Sequence, residues 1–152
     1  PVPYIEYAET LEQTGKRMGK YKYLFDNLAA LCRVLDIKAG IGIKTRNAYK
    51  SGDKELLKSL VGDYREAADR LGVFRDTLRK VWMNDNKPYG WDIQEIRLGG
   101  LKARLYDCAQ RIEEYLSGET KNIPELEETL LPYGNWNSGY NLYRGFISVS
   151  EL

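Results

Sequence analysis

The chain contains no histidine and only two cysteines among its 152 residues. Without histidine, Ser-His-Asp triads and histidine-based metal sites are excluded. The cysteines, Cys32 and Cys108, stand too far apart to form a zinc knuckle, and both fall on apolar helical stripes. There a free thiol behaves as a small hydrophobe. Buried free thiols, with no disulfide, fit a reducing compartment, so a cytoplasmic location is expected. Long hydrophobic runs are also missing: none approaches the roughly 20 residues that span a bilayer, and the N-terminus lacks a signal-peptide core. No membrane partner is expected. Nor is there an excess of either charge, since 23 Lys and Arg face 22 Asp and Glu for a net charge of +1. Such a balance supplies no broad field to attract nucleic acid.

Phosphate and carboxylate chemistry are equally thin. Gly40-Ile41-Gly42 is the nearest approach to a nucleotide-binding loop, and it lacks both the next glycine and a preceding strand. The acidic pairs Glu113-Glu114 and Glu127-Glu128 sit on expected solvent faces of helices, where adjacent side chains diverge by about 100°. No catalytic residue, metal ligand or cofactor is assigned. A chain beginning at Pro1 instead of Met reads as an excised piece or a processed product.

What the chain does have is periodicity. A hydrophobic fraction of 43% with 30% charge suits a soluble globular domain. A lead-in over residues 1–20 holds a short helix from Tyr4 to about Thr14. The first long helix is predicted from about Tyr21 to Tyr49. Its main buried stripe is Tyr21, Leu24, Phe25, Leu28, Leu31, Cys32 and Leu35, and a second stripe runs through Val34, Ile37 and Ile41. Gly40 and Gly42 inside it suggest close packing or a kink, since each costs about 1 kcal/mol relative to alanine. Asp53 is placed to cap the next helix, about Lys54 to Asn84. Its apolar face is Leu57, Leu60, Val61, Tyr64, Ala68, Leu71, Phe74, Leu78, Val81 and Trp82. The charges between them, Arg70 and Arg75 included, read as a solvated face worth only tenths of a kcal/mol per pair.

Pro88 and Gly90 break the chain between Asn84 and Trp91. Asp92 with Glu95 then resembles a capping box opening a third long helix to Gly118. That helix buries Ile93, Ile96, Leu101, Leu105, Cys108, Ile112 and Tyr115, and Gly99-Gly100 would let another backbone approach. Asn122-Ile123-Pro124-Glu125 caps a final helix to about Leu131. Residues 132–152 form an irregular aromatic tail, strand-like from Phe146 to Val149. The expected fold is all-α: an elongated antiparallel bundle of three long helices over residues 21–131, with short terminal helices. No internal repeat argues for a solenoid. Such a rod, with one helix buried on two sides and an aromatic tail, carries more apolar surface than three helices hide, and a symmetric homodimer would absorb it. Trp82, Tyr89, Trp91, Trp136 and Tyr140 could also stack as a sugar platform; the blander reading puts Trp82 in the core and has Tyr89 and Trp91 pin the loop.

One stretch is more specific than its periodicity. Trp82-Met83-Asn84-Asp85-Asn86-Lys87-Pro88-Tyr89-Gly90, followed by Ile96-Arg97-Leu98-Gly99-Gly100-Leu101-Lys102-Ala103-Arg104-Leu105, resembles the C-terminal helical domain of bacterial glycoside hydrolase family 20 enzymes, the β-N-acetylhexosaminidases. The similarity takes in Thr45-Arg46-Asn47-Ala48-Tyr49, Tyr115-Leu116-Ser117-Gly118 and Ile123-Pro124-Glu125-Leu126-Glu127. The resemblance implies a catalytic (β/α)8 barrel upstream, whose Asp-Glu pair assists the substrate's own acetamido group. This chain has no Asp-Glu dipeptide, so no catalytic residue carries over. An accessory domain that braces the barrel or forms a dimer interface is the expected role. Asn86, Lys87, Pro88, Tyr89 and Trp91 are its expected contact loop. The alternative is a stand-alone helical module that binds protein or carbohydrate.

Overall fold

The computed structural model describes residues 2–129; the expected tail from 132 onward lies outside the described residues. Helix α1 spans Tyr4–Gly15, and a short 3-10 turn over Gly19–Tyr21 leads into α2, Lys22–Ser51. Then come α3 (Lys54–Asp85), α4 (Trp91–Ser117) and the one-turn α5 (Pro124–Glu127). Among the described residues there is no strand.

The long helices run antiparallel, as cross-links along their length show. Between α2 and α3, Tyr23 donates to Asp85 at 2.7 Å, Asn27 to Thr77 at 3.2 Å, and Arg70 to the Arg33 carbonyl at 2.9 Å. Between α3 and α4, Arg65 pairs with Glu113 at 2.7 Å, Tyr106 donates to Asp69 at 2.6 Å, and Arg75 meets Glu95. The principal contacts follow chain order: α1 with α2, α2 with α3, and α3 with α4. At about 1.5 Å per residue, α3 is roughly 48 Å long and forms the spine.

That spine buries Leu57, Leu60, Val61, Tyr64, Ala67, Ala68 and Leu71, at three- and four-residue spacing. Against it lie Val34, Ile41 and Ala48 of α2, Leu105, Ala109 and Ile112 of α4, and Ile123 before α5. The fully buried core therefore occupies one half of the rod. In the other half Phe74, Leu78, Val81 and Trp82 of α3 are only half-buried. The α2 stripe from Tyr21 to Leu35 is a satellite surface, not the main core. Tyr21 and Leu28 remain 52% and 48% exposed. The stripe through Val34 and Ile41 faces the spine instead. The reason lies in partner size: α1 is 12 residues long and covers only part of the first stripe.

Local signals decide the helix ends. The Asp53 carboxylate accepts from the Leu56 N–H at 2.9 Å, the expected N-cap. Gly52 and Gly118 close α2 and α4 with φ of 72° and 82°, a conformation in which a Cβ is strained. At the start of α4 the expected capping box gives way. Gly90 (φ 83°) is the cap residue, Asp92 falls in the first turn, and Glu95 turns to Arg75. The final helix ends at Glu127, and Asn122 donates to Glu127 at 3.0 Å instead of capping. Among the described residues the close backbone approach expected at Gly99-Gly100 is not made. A Cβ at Gly42, Gly99 or Gly100 would meet nothing within 4 Å, and α2 runs unbroken through Gly40 and Gly42.

This packing sets two measurable outcomes. Leu60→Ala empties a site that is 1% exposed and is expected to cost about 2–5 kcal/mol in denaturant unfolding, against under ~0.5 for a substitution on an open helix face. At α1, Arg33 grips Glu12 with two hydrogen bonds of 2.9 and 3.0 Å. That guanidinium holds the Glu12 carboxyl below its ordinary value of 4.5. A depressed carboxylate stabilises fully above its unfolded pKa and is lost as pH falls through the folded one. Acidification below about pH 4 should therefore lower the protection factors of the α1 amides relative to those of α3, and Glu12→Gln should remove that pH dependence.

Candidate functional site

Two constructions stand out on the scaffold, one at each end of the spine. At the half-covered end α3 stops at Asp85 because Pro88 disfavours helix at the residue before it. The loop is then pinned from within. Trp82 Nε1 donates to the Lys87 carbonyl at 3.0 Å, and the Trp91 N–H donates to the Pro88 carbonyl at 3.2 Å. The Trp82 and Trp91 rings pack at 6.1 Å with their planes 54° apart. Arg75 lies 5.8 Å from the Trp91 ring centre and pairs with Glu95, holding that carboxyl below its usual range. Trp91 is 5% exposed, so it serves as the loop's foundation. Tyr89 is 87% exposed, and Asn86, Lys87 and Pro88 are exposed beside it. A rigid turn thus presents one aromatic ring to solvent, and the sugar-stacking surface keeps Tyr89 but not Trp91.

At the other end, the segment before and within α5 folds back over the seam between α2 and α4. Arg46 Nη1 donates to the Leu126 and Glu128 carbonyls at 3.1 and 2.9 Å, and Nη2 to the Glu125 carbonyl at 3.2 Å. Those carbonyls are the ones a one-turn helix leaves unpaired at its C-terminus. The Tyr49 hydroxyl accepts from the Ile123 N–H at 3.0 Å and donates to Glu127 at 2.7 Å. Burial, with that carboxylate nearby, raises the Tyr49 pKa. Its ring meets Tyr115 of α4 at 5.1 Å. Arg111 reaches Glu125 at 3.5 Å. This strap fastens Thr45–Tyr49 to Ile123–Glu127, two of the stretches that carry the sequence resemblance. Sequence reasoning took the first as a helix end and as part of the resemblance, with no contact assigned to it. Nothing in its spacing links positions 46 and 126.

Beneath the strap the buried Thr45 hydroxyl donates to the Ile41 carbonyl at 2.8 Å and lies 3.0 Å from the Tyr64 hydroxyl. Burial raises the pKa of Tyr64 and of the neighbouring Cys108 thiol. Both Cys32 and Cys108 are free and half-buried. Among the described residues no group of three or more His, Cys, Asp or Glu could hold a metal ion. No described helix is long and apolar enough to cross a membrane.

The strap makes a direct prediction. Arg46→Gln removes the charge-assisted bonds to backbone carbonyls and should destabilise the chain by about 1–3 kcal/mol. Amide exchange should rise at Ile123–Glu128 before it rises in α3.

No curated protein matches this sequence. At the level of a family, residues 2–142 match the sequence model of the Glycoside Hydrolase 20C C-terminal domain, and the chain belongs to that family.

Proposed function

We propose that this chain is the accessory C-terminal helical domain of a β-N-acetylhexosaminidase, supplying contact surface and no catalytic residue. A catalytic barrel precedes it in the same polypeptide, and the two unpaired thiols suit a cytoplasmic enzyme. The observation that carries the reading is the uneven core. Apolar burial is complete from Leu57 to Leu71 and falls away towards the loop, where Tyr89 projects from a pinned turn. A domain that stood alone would gain by covering that end. A rigid exposed aromatic beside half-buried apolar side chains is what an interface anchor requires.

The loop Asn86–Tyr89, with Trp91 as its buried support, therefore braces the barrel or meets the same end of a second protomer in a homodimer. Residues that could supply acid–base catalysis do not converge: the acidic side chains at this end are already paired, Asp85 with Tyr23 and Glu95 with Arg75.

The isolated chain is expected to give no turnover of a chromogenic N-acetylglucosaminide, and clear hydrolysis would contradict the division of labour. In the intact enzyme Tyr89→Ala should weaken the barrel or dimer contact by at least ~1 kcal/mol, about fivefold in association. The melting of the isolated helical domain should stay unchanged, since the ring packs on little within it.

A further inference from the structure

The overall charge of +1 conceals a local excess. Lys16, Arg17, Lys20 and Lys22 follow one another closely, and no Asp or Glu stands between Glu12 and Asp26. All four are exposed on the turn from α1 into α2. The hydrogen bond from Tyr23 to Asp85 sets that turn beside the end of α3, so it shares the Tyr89 end of the rod with Lys87.

The carboxylates at this end are already engaged. Asp26 holds Lys22 at 2.5 Å, Asp76 and Glu95 pair with Arg75, Asp85 accepts from the Tyr23 hydroxyl, and Asp92 has its own partner. The remaining cations are left over. Lys16 reaches only the neutral Gln13, at 3.2 Å, and Lys20 lies 5.0 Å from the centre of the Tyr21 ring. The side chains of Arg17 and Lys87 meet no acceptor among the described residues. Met18, Tyr21 and Tyr89 are exposed beside them. Apolar side chains within a rim of uncompensated charge have the anatomy of a protein interface, and charge at the rim selects the partner. A two-fold dimer through this end would set the patch against its own copy, cation facing cation. A surface of Asp and Glu side chains would complement it.

Resting on the proposal that the Tyr89 end is the domain's contact surface, we infer that it docks on an acidic protein surface, and that this surface belongs to the catalytic barrel instead of a second copy. Lys16, Arg17, Lys20 and Lys87 pair there with carboxylates around the ring of Tyr89.

Lysine acetylation followed by mass spectrometry tests this, comparing the intact enzyme with the 152-residue chain. In the intact enzyme Lys16, Lys20 and Lys87 should label at least about tenfold more slowly, the factor that 1.4 kcal/mol of docking makes. Arg17→Glu together with Lys20→Glu should return Lys16 and Lys87 to the rate of the chain alone. Unprotected lysines in an enzyme that Tyr89→Ala still weakens at its barrel contact would overturn the inference and leave the contact reading standing. Unprotected lysines with no effect of Tyr89→Ala would remove both. Protection that vanishes when a dimer is diluted to monomer would give the end to a second copy. Binding of a DNA oligonucleotide by the 152-residue chain that Lys20→Glu abolishes would give it to nucleic acid, and either result overturns the inference.

Discussion

Everything in this fold hangs on the apolar stripe of α3. A single helix of 32 residues cannot bury its own hydrophobic face, and α2 and α4 lie against it on either side. Ala67 and Ala68 are fully buried at mid-length, and Leu57 and Leu60, towards the strap, are the largest fully buried side chains. Burial of each large aliphatic side chain contributes about 1.5–3 kcal/mol, whereas the exposed ion pairs along the rod contribute ~1 kcal/mol at most. The charged faces fix register and solubility; the stripe fixes the fold.

The same stripe explains the division of labour between the two ends. Near Leu57 the core is closed by Ile123, Tyr49 and Tyr115, and the Arg46 guanidinium satisfies carbonyls that a one-turn helix leaves open. Towards Asp85, among the described residues, the helices have no equivalent lid. Their apolar residues stay half-covered, and the Trp82–Trp91 pair stiffens the connecting loop without sealing it. That end is pinned by its own side chains and incompletely covered.

Much of this was legible in the sequence because local chemistry dictated it. Asp53 caps α3, Gly118 ends α4, and the Leu57–Leu71 periodicity marks the core face, each a decision made within one or two turns of chain. What was not legible depends on distance. The stripe from Tyr21 to Leu35 looked like core by spacing, but α1 is too short to cover it. Arg75 looked like one more surface charge until α4 placed Trp91 and Glu95 beside it. The Arg46 clamp joins residues some 80 positions apart, beyond the reach of any periodic pattern. Gly99-Gly100 promised a close helix contact, and within the described residues that side of α4 is open.

The dependence of the whole on α3 can be measured most directly by native-state hydrogen exchange across the long helices. If α3 is the spine, amides from Leu60 to Leu71 exchange only through global unfolding, at the full stability of the chain, while α1 and the strap open at lower free energy. If α3 opened locally in that stretch while α2 and α4 stayed protected, the bundle would be held together some other way and the account would fail.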